Sequence, residues 1–223
     1  MDLHSHPSAW PETIAEATRL QNELRHSVRL ENDFPTIRLI AGIDVSIRLK
    51  TDTMYAVAVL IDAETLAPIA DVAAELPAAF PYVPGYLSFR EIPAILEAMK
   101  KLPRAPDLLM VDGHGVAHPR RLGIAAHLGA LIDRPAIGVA KSKLTGTYHE
   151  PDLFKGAHAL LMDKRERIGT VLRSKDNVKP LFVSPGHRVD HDTAVAMVQK
   201  CLTKYRLPEP TRLADKLSKI KKT

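Results

Sequence analysis

The sequence predicts an α/β fold, a mixed β-sheet with helices on both faces. Short apolar runs of strand length recur along the chain. The first three read as a meander, and later ones are separated by helical stretches. The 223 residues are 45% apolar and 26% charged, which is ordinary globular composition and enough for a full core. No repeat, low-complexity linker or composition break divides the chain. A single domain over 1–223 is expected, with 1–8 and 218–223 as flexible ends.

Residues 8–32 read as a helix starting at Ser8 or Trp10–Pro11, with Ile14, Ala17, Leu20, Leu24 and Val28 on one face. Residues 36–47, "TIRLIAGIDVSI", form an apolar strand with Asp44 inside it. "MYAVAVLIDAETLAPIADVAAEL" reads as two strands around a turn near Ala63–Leu66. Residues 77–91 are a loop broken by Pro77, Pro81, Pro84 and Gly85. "SFREIPAILEAMKKL" is a helix, with Pro93 expected in its first turn, where proline is tolerated. "DLLMVDG" is a buried strand, "RLGIAAHLGALID" a helix and "PAIGVAKS" another buried strand. "RIGTVLRS" and "PLFVSPGHRV" read as further strands, and "DTAVAMVQKCLTKY" and "EPTRLADKLSKIKK" as closing helices.

Composition narrows the classes. No apolar run approaches the ~20 residues that span a bilayer. The start, "MDLHSHPSAWPET", lacks a basic segment followed by an apolar one, so no secretory signal and no membrane partner are expected. A lone Cys201 cannot form an internal disulfide and suits a reducing compartment, the cytoplasm. The net charge of +5 leans toward a polyanionic partner. A monomer is expected.

Three acids sit where acids are awkward. Asp44 lies inside "IAGIDVSI", Asp112 ends "LLMV", and Glu91 stands near a helix start after the proline-rich loop. A carboxylate in a buried strand is costly unless paired or metal-bound. Two neighbouring carboxylates repel each other, and a divalent cation removes that problem. Each acid alone has an ordinary reading. Asp112–Gly113 can be a turn, Glu91 can favour a helix N-terminus, and Asp44 can pair with arginine. The three together point to a metal held by Asp44 and Asp112, with Glu91 close by. An all-oxygen set suits Mg²⁺, with Mn²⁺ as substitute, and not zinc.

Other groups divide less sharply. Asp52, Asp62, Glu64, Asp71 and Glu75 fall near turns, and Asp190 and Asp192 look like helix caps. Asp215 sits off the apolar face made by Leu213, Leu217 and Ile220, as a solvent-facing acid would. His114 and His118 lie on the glycine-rich stretch within reach of a base or phosphate, while His127 is mid-helix. Lys141 ends a buried strand, where it either snorkels to solvent or holds something anionic. Cys201 falls on an apolar helix face and reads as core.

Taken together, "GIDVS", "FPYVPGYLSFRE", "VDGHGVAHPRRLGIAAHLG", "IGVAKS", "SPGHRV" and "RLPEPTRLAD" resemble the endonuclease V family, the deoxyinosine 3′ endonucleases of ribonuclease H-like fold. The resemblance covers roughly residues 15–217, and the second and third motifs are the specific ones. It implies a metal-dependent DNA repair enzyme that hydrolyses the second phosphodiester bond 3′ to deoxyinosine, leaving 3′-hydroxyl and 5′-phosphate ends. It also implies DNA containing deoxyinosine as partner, with inosine-containing RNA as a second. The family's catalytic positions fall on Asp44, Glu91, Asp112, Lys141 and Asp215. Its strand-separating wedge falls on Pro81, Tyr82, Val83, Pro84 and Gly85, and Leu87 and His118 line the same region; Gly85, Gly113 and Gly123 are where a flat base could approach the peptide groups.

The wedge makes physical sense. Tyr82 supplies a flat ring and the flanking prolines stiffen the backbone. Hypoxanthine pairs loosely, so extracting it from a duplex costs less than extracting a normal base. Arg120, Arg121, Lys143 and Arg188 are expected phosphate contacts, and the lysines of 216–222 add non-specific attraction; each can equally be a solvated charge. Another ribonuclease H-like nuclease would share the acids but not the wedge. The intact acid set argues against a non-catalytic nucleic-acid-binding module, and a purely structural protein would need no acids inside strands.

Overall fold

The structure, a computed structural model, describes residues 10–220. Its sheet has eight strands: β1 (Leu39–Arg48), β2 (Thr53–Asp62), β3 (Pro68–Pro77), β4 (Leu108–Val111), β5 (Ala136–Ala140), β6 (His158–Asp163), β7 (Glu166–Leu172) and β8 (Leu181–His187). Across the sheet they run β3-β2-β1-β4-β5-β8-β7-β6. β1, β2 and β3 form an antiparallel meander. β4 lies parallel to β1 and β5 parallel to β4. β8, β7 and β6 extend the sheet as a second antiparallel meander. The helices are α1 (Ile14–Leu24), α2 (Leu87–Met99), α3 (Ile124–Leu131), α4 (His191–Lys200) and α5 (Glu209–Ile220).

Side chains alternate across each strand, so each strand serves two cores. Ala41, Ile43, Leu109 and Val111 face α2 and α3, packing with Ile92, Ile95 and Leu128. Ile40, Leu108, Met110, Ile137 and Val139 face α4 and α5, packing with Val195, Val198 and Ala214. Each fully buried Ile or Leu contributes roughly 1.5–3 kcal/mol, against about 0–1 kcal/mol for an exposed ion pair. These two apolar layers therefore hold the fold. α5 can rest directly on β1 because Gly42 has no side chain; a Cβ there would lie 2.0 Å from the Pro210 carbonyl oxygen.

Three details depart from the expectation. The expected first helix is shorter. α1 begins after a capping box in which Thr13 and Glu16 satisfy each other's backbone N–H groups, and it passes at Arg25–Ser27 into one 3₁₀ turn. Ser8 lies outside the described residues. The buried face of α1 is Ala17 and Gln21, while Ile14 is 49% exposed.

Pro93 is not in a first turn, since α2 starts at Leu87 and carries the proline in its interior. Proline has no N–H to give the carbonyl four residues back, which is that of Phe89. The indole of Trp10 donates to that oxygen instead, at 2.7 Å.

β6 was not expected. It is an edge strand with mixed burial, so no clean alternation marks it. Of the segments expected to be flexible, 1–8 and 221–223 lie outside the described residues, and 218–220 form the end of α5. Among the described residues no helix is long and apolar enough to cross a membrane.

Candidate active site

Alternation along three parallel strands assembles the charged cluster. Ile40 of β1, Met110 of β4 and both Ile137 and Val139 of β5 point toward α4 and α5. Counting on by twos reaches Asp44, in the middle of β1 just past its pairing with β4, and Asp112 and Lys141, the residues that follow the carboxyl ends of β4 and β5. The Asp112 N–H donates to the Ile43 carbonyl at 2.9 Å, so the ladder continues past β4. α5, lying on that face, brings Asp215. One oxygen from each of Asp44, Asp112 and Asp215 lies within 4.8 Å of the others.

The cluster is held together by cations and one hydroxyl. Lys141 Nζ pairs with Asp112 and with Asp215, the latter at 2.5 Å. Lys219 reaches Asp215 at 2.7 Å. Ser218, buried on α5, donates to Asp44, and its own carbonyl accepts from Ser46 Oγ at 2.8 Å. Burial, then the Asp112 charge, pushes the Asp44 carboxyl up to about 7, against the pull of Ser218 and Lys141. For Asp215 burial also disfavours the charge, but Lys141 and Lys219 outweigh it and hold its pKa below the ordinary value. Lys141 is the converse case: burial opposes its charge, and the two carboxylates prevail and raise its pKa.

Glu91 comes from the opposite helical layer, on the second turn of α2, and stands outside the close group of three. Burial first, then the Asp44 and Asp112 charges, pushes its carboxyl up to about 8. Two buried acids that resist ionising, Asp44 and Glu91, with Asp112 and Asp215 beside them as further oxygen donors, form a ready site for a hard dication.

Beside the acids opens a hollow of about 410 Å³. Asp44, Glu91 and Asp112 form one wall. Tyr82, Val83, Pro84, Gly85, Leu87, Gly113, His118 and Gly123 line the rest, so most of the residues named from sequence meet here. Pro81 does not line it. The Tyr82 ring is 72% exposed at the rim, whereas Val83 turns inward onto Phe80 and Phe89. Ser88, Leu122, Ile124, Ser142 and Leu144 also line the hollow and carried no sequence signal.

His114 and His118 are neutral lining groups. His118 is 4% exposed, and burial, aided by the Arg120 charge, brings its pKa down to about 4. His114, lowered by burial to about 4, is alike. His127 is buried against Trp10 and Phe89 and bonded to Ser88 Oγ at 2.9 Å.

Three arginines expected to face phosphate have partners within the chain. Arg121 pairs with Asp163 and Glu166, each at 2.7 Å. Arg188 pairs with Asp33 and Asp133. Arg120 bonds Gln21 and the Gly85 carbonyl. Lys143 remains at the hollow, 5.8 Å from the Tyr148 ring centroid. Asp52, expected to be solvated, pairs with the buried Arg90. Sequence reasoning missed Ser218 and Gln21. Ser218 follows Asp215 by three, one turn along the same helix, and Gln21 is a polar residue on a buried stripe.

Residues 22–216 match the sequence model of the Endonuclease V family. An endonuclease V of Azotobacter vinelandii is 53% identical over 209 residues, covering 94% of this chain and 95% of the relative. The crystal structure of the endonuclease V of Streptomyces avermitilis superposes with a TM-score of 0.91 at 45% identity, covering 96% of this chain and 95% of that one. Endonuclease V of Ciona intestinalis, solved with a 24-mer DNA containing an inosine followed by a ribo-adenosine, matches with a TM-score of 0.80 at 29% identity. That match covers 93% of this chain and 96% of the other. The fold is ribonuclease H-like.

Proposed function

This chain belongs to the endonuclease V family and is a nuclease; from that premise we propose that it is a metal-dependent DNA repair endonuclease that recognises deoxyinosine. It cuts the second phosphodiester bond 3′ to the lesion, leaving 3′-hydroxyl and 5′-phosphate ends. One observation carries the reading: three carboxylates from β1, the end of β4 and α5 converge beside a hollow of base-binding size. The relative solved on inosine-containing DNA supports DNA as the partner. Because the lesion is read at its base, the reading extends to inosine in RNA.

Asp44 and Asp112 hold the cation, Mg²⁺ or in its place Mn²⁺, and Asp215 flanks them. When bound, the cation supplies charge neutralisation for the phosphate and acidifies water. Lys141, paired with Asp112 and Asp215, would present its ammonium to the phosphate beside them. Glu91, in its ionised form, would take the proton of the attacking water at its carboxylate. Tyr82 replaces the lost stacking, with Pro81, Val83, Pro84 and Gly85 shaping the wedge. Leu87, Gly113, His118 and Gly123 wall the pocket, where a flat base can approach the backbone. Lys143 is the phosphate contact best supported, being a cation at the rim.

All eight strands join one continuous sheet, which supports a single domain; a monomer is proposed. The free, buried Cys201 supports a reducing compartment such as the cytoplasm.

The test is nicking of end-labelled duplexes and RNA strands, with inosine or adenine at one position, in Mg²⁺ and in chelator. A single inosine-dependent product with a 3′-hydroxyl, formed only in Mg²⁺, is expected. Equal cutting of the adenine control, or cutting in chelator, would overturn the proposal.

A further inference from the structure

We infer that Arg120, locked by Gln21, is a positioning residue that braces the loop of Tyr82 from behind and makes no contact with phosphate. The inference rests on reading that loop as the element that opens the duplex.

Gly85 closes the loop with φ +84°, a conformation that favours glycine. Its carbonyl accepts from Arg120 Nη2 at 2.7 Å and from Gln21 Nε2 at 2.9 Å. Arg120 Nε in turn donates to Gln21 Oε1 at 2.5 Å. The fully buried Gln21 thus uses both ends of its amide, one on the loop and one on the arginine. The guanidinium also lies 4.3 Å from the centroid of the Tyr86 ring. The Tyr86 hydroxyl meets Thr18 Oγ1 at 2.7 Å, and its N–H donates to the Val83 carbonyl at 3.0 Å. A Cβ on residue 85 would come within 2.7 Å of Arg120 Nη2, so glycine is needed for the clamp as well as for the turn.

Among the described residues every partner of Arg120 is neutral. Nε and Nη2 donate inward, to an amide oxygen and a carbonyl, and the guanidinium plane lies over a ring, so the edge of the fork that would grip a phosphate with two parallel bonds is already used. A phosphate-binding arginine would leave its fork facing solvent. The function served is preorganisation. An exposed ring replaces a stacked base well only if its loop is already ordered, because ordering at the moment of binding subtracts from affinity. Lysine carries the charge but has neither the planar fork nor the stacking surface. Arg120→Lys therefore separates a clamp from a charge.

The experiment uses the full chain, folded as judged by melting, with Arg120→Lys, Arg120→Gln and Tyr86→Phe. Amide exchange of Tyr82, Val83, Gly85 and Tyr86 is expected to quicken in both Arg120 variants, while the β1 amides stay protected. Duplex inosine nicking at low enzyme is expected to fall roughly tenfold or more in both, with nicking of inosine in a single strand within about threefold of wild type. Binding of Arg120→Gln should keep the wild-type slope of log affinity against log salt. Tyr86→Phe, which releases only Thr18, should show a smaller loss of the same kind, and it stands in if the Arg120 variants do not fold.

Wild-type exchange and nicking in Arg120→Lys would overturn the clamp. So would a salt slope reduced by about 1 in Arg120→Gln, the mark of one lost phosphate contact. The exchange readout needs no substrate, so it judges the clamp even if wild type fails to nick inosine and the functional reading falls.

Discussion

The acid cluster and the loop beside it are built in opposite ways. Asp44 and Asp112 ride on neighbouring parallel strands whose ladder sets their separation. The segment from Ala78 to Tyr86 has no ladder. It hangs between β3 and α2, with Arg90 on the Phe80 carbonyl at 2.8 Å and the Arg120–Gln21 pair on the Gly85 carbonyl. In the first region the backbone is secure and the side chains are in conflict, for like charges are buried together. In the second the side chains at the base are satisfied, and they secure the backbone. Damage to the first should remove chemistry and spare the fold; damage to the second should weaken recognition and spare chemistry.

The largest effect should come from the first region. Asp44→Asn or Asp112→Asn is expected to cut the single-turnover rate on the order of 10³-fold or more; Asp44→Asn should do so without lowering the melting temperature of the metal-free protein, since the fold disfavours its charge. Residual cleavage within tenfold of wild type, or a large drop in melting temperature in Asp44→Asn, would break the contrast.

Next comes the pH dependence of metal binding. Asp44 is pushed up to about 7 and Glu91 to about 8, in each case by burial first and by neighbouring carboxylates second. Protons therefore compete with the cation below these values. Mg²⁺ affinity should rise from pH 6 to pH 8 with proton release on binding, seen by calorimetry in two buffers of different ionisation heat. Affinity flat with pH would mean that the acids are already ionised.

For the second region, Tyr82→Ala should weaken binding to inosine duplexes by roughly tenfold to a hundredfold. Its melting temperature should not change, because the ring is 72% exposed. Unaltered affinity would remove the ring from recognition.

The smallest effect concerns His127, which packs behind both regions. Burial brings its pKa down to about 3, so it stays neutral in the fold while the unfolded chain takes up a proton below about 6.5. The unfolded state then binds more protons, and stability present above pH 6.5 is lost as pH falls toward 3. His127→Gln should lose less melting temperature than wild type between pH 7.5 and pH 5. An equal drop would assign the acid sensitivity elsewhere, to His114 and His118, which are shifted the same way.

The same contrast explains what could be read from sequence. Asp44 and Asp112 were legible because a charged residue in an apolar strand violates a local rule. The succession of strands and helices along the chain, β6 apart, was legible from the spacing of apolar runs. Asp215 was not legible from periodicity, because what matters is where α5 lands on the sheet. That landing depends on Gly42 admitting Pro210, a contact between residues 168 apart in the chain. Pro93 was misplaced because the partner that excuses it, Trp10, comes from another element. Arg120 read as a phosphate contact because a sequence shows charge and not direction. In each case the missing information was tertiary.

The most direct test of the acid cluster is diffraction from crystals of this chain soaked in Mn²⁺, recorded at the manganese edge. An anomalous peak bounded by the carboxylate oxygens of Asp44 and Asp112, lost in Asp112→Asn, is expected. A peak elsewhere, or none in a protein that still cuts inosine strands in Mn²⁺, would contradict the assignment.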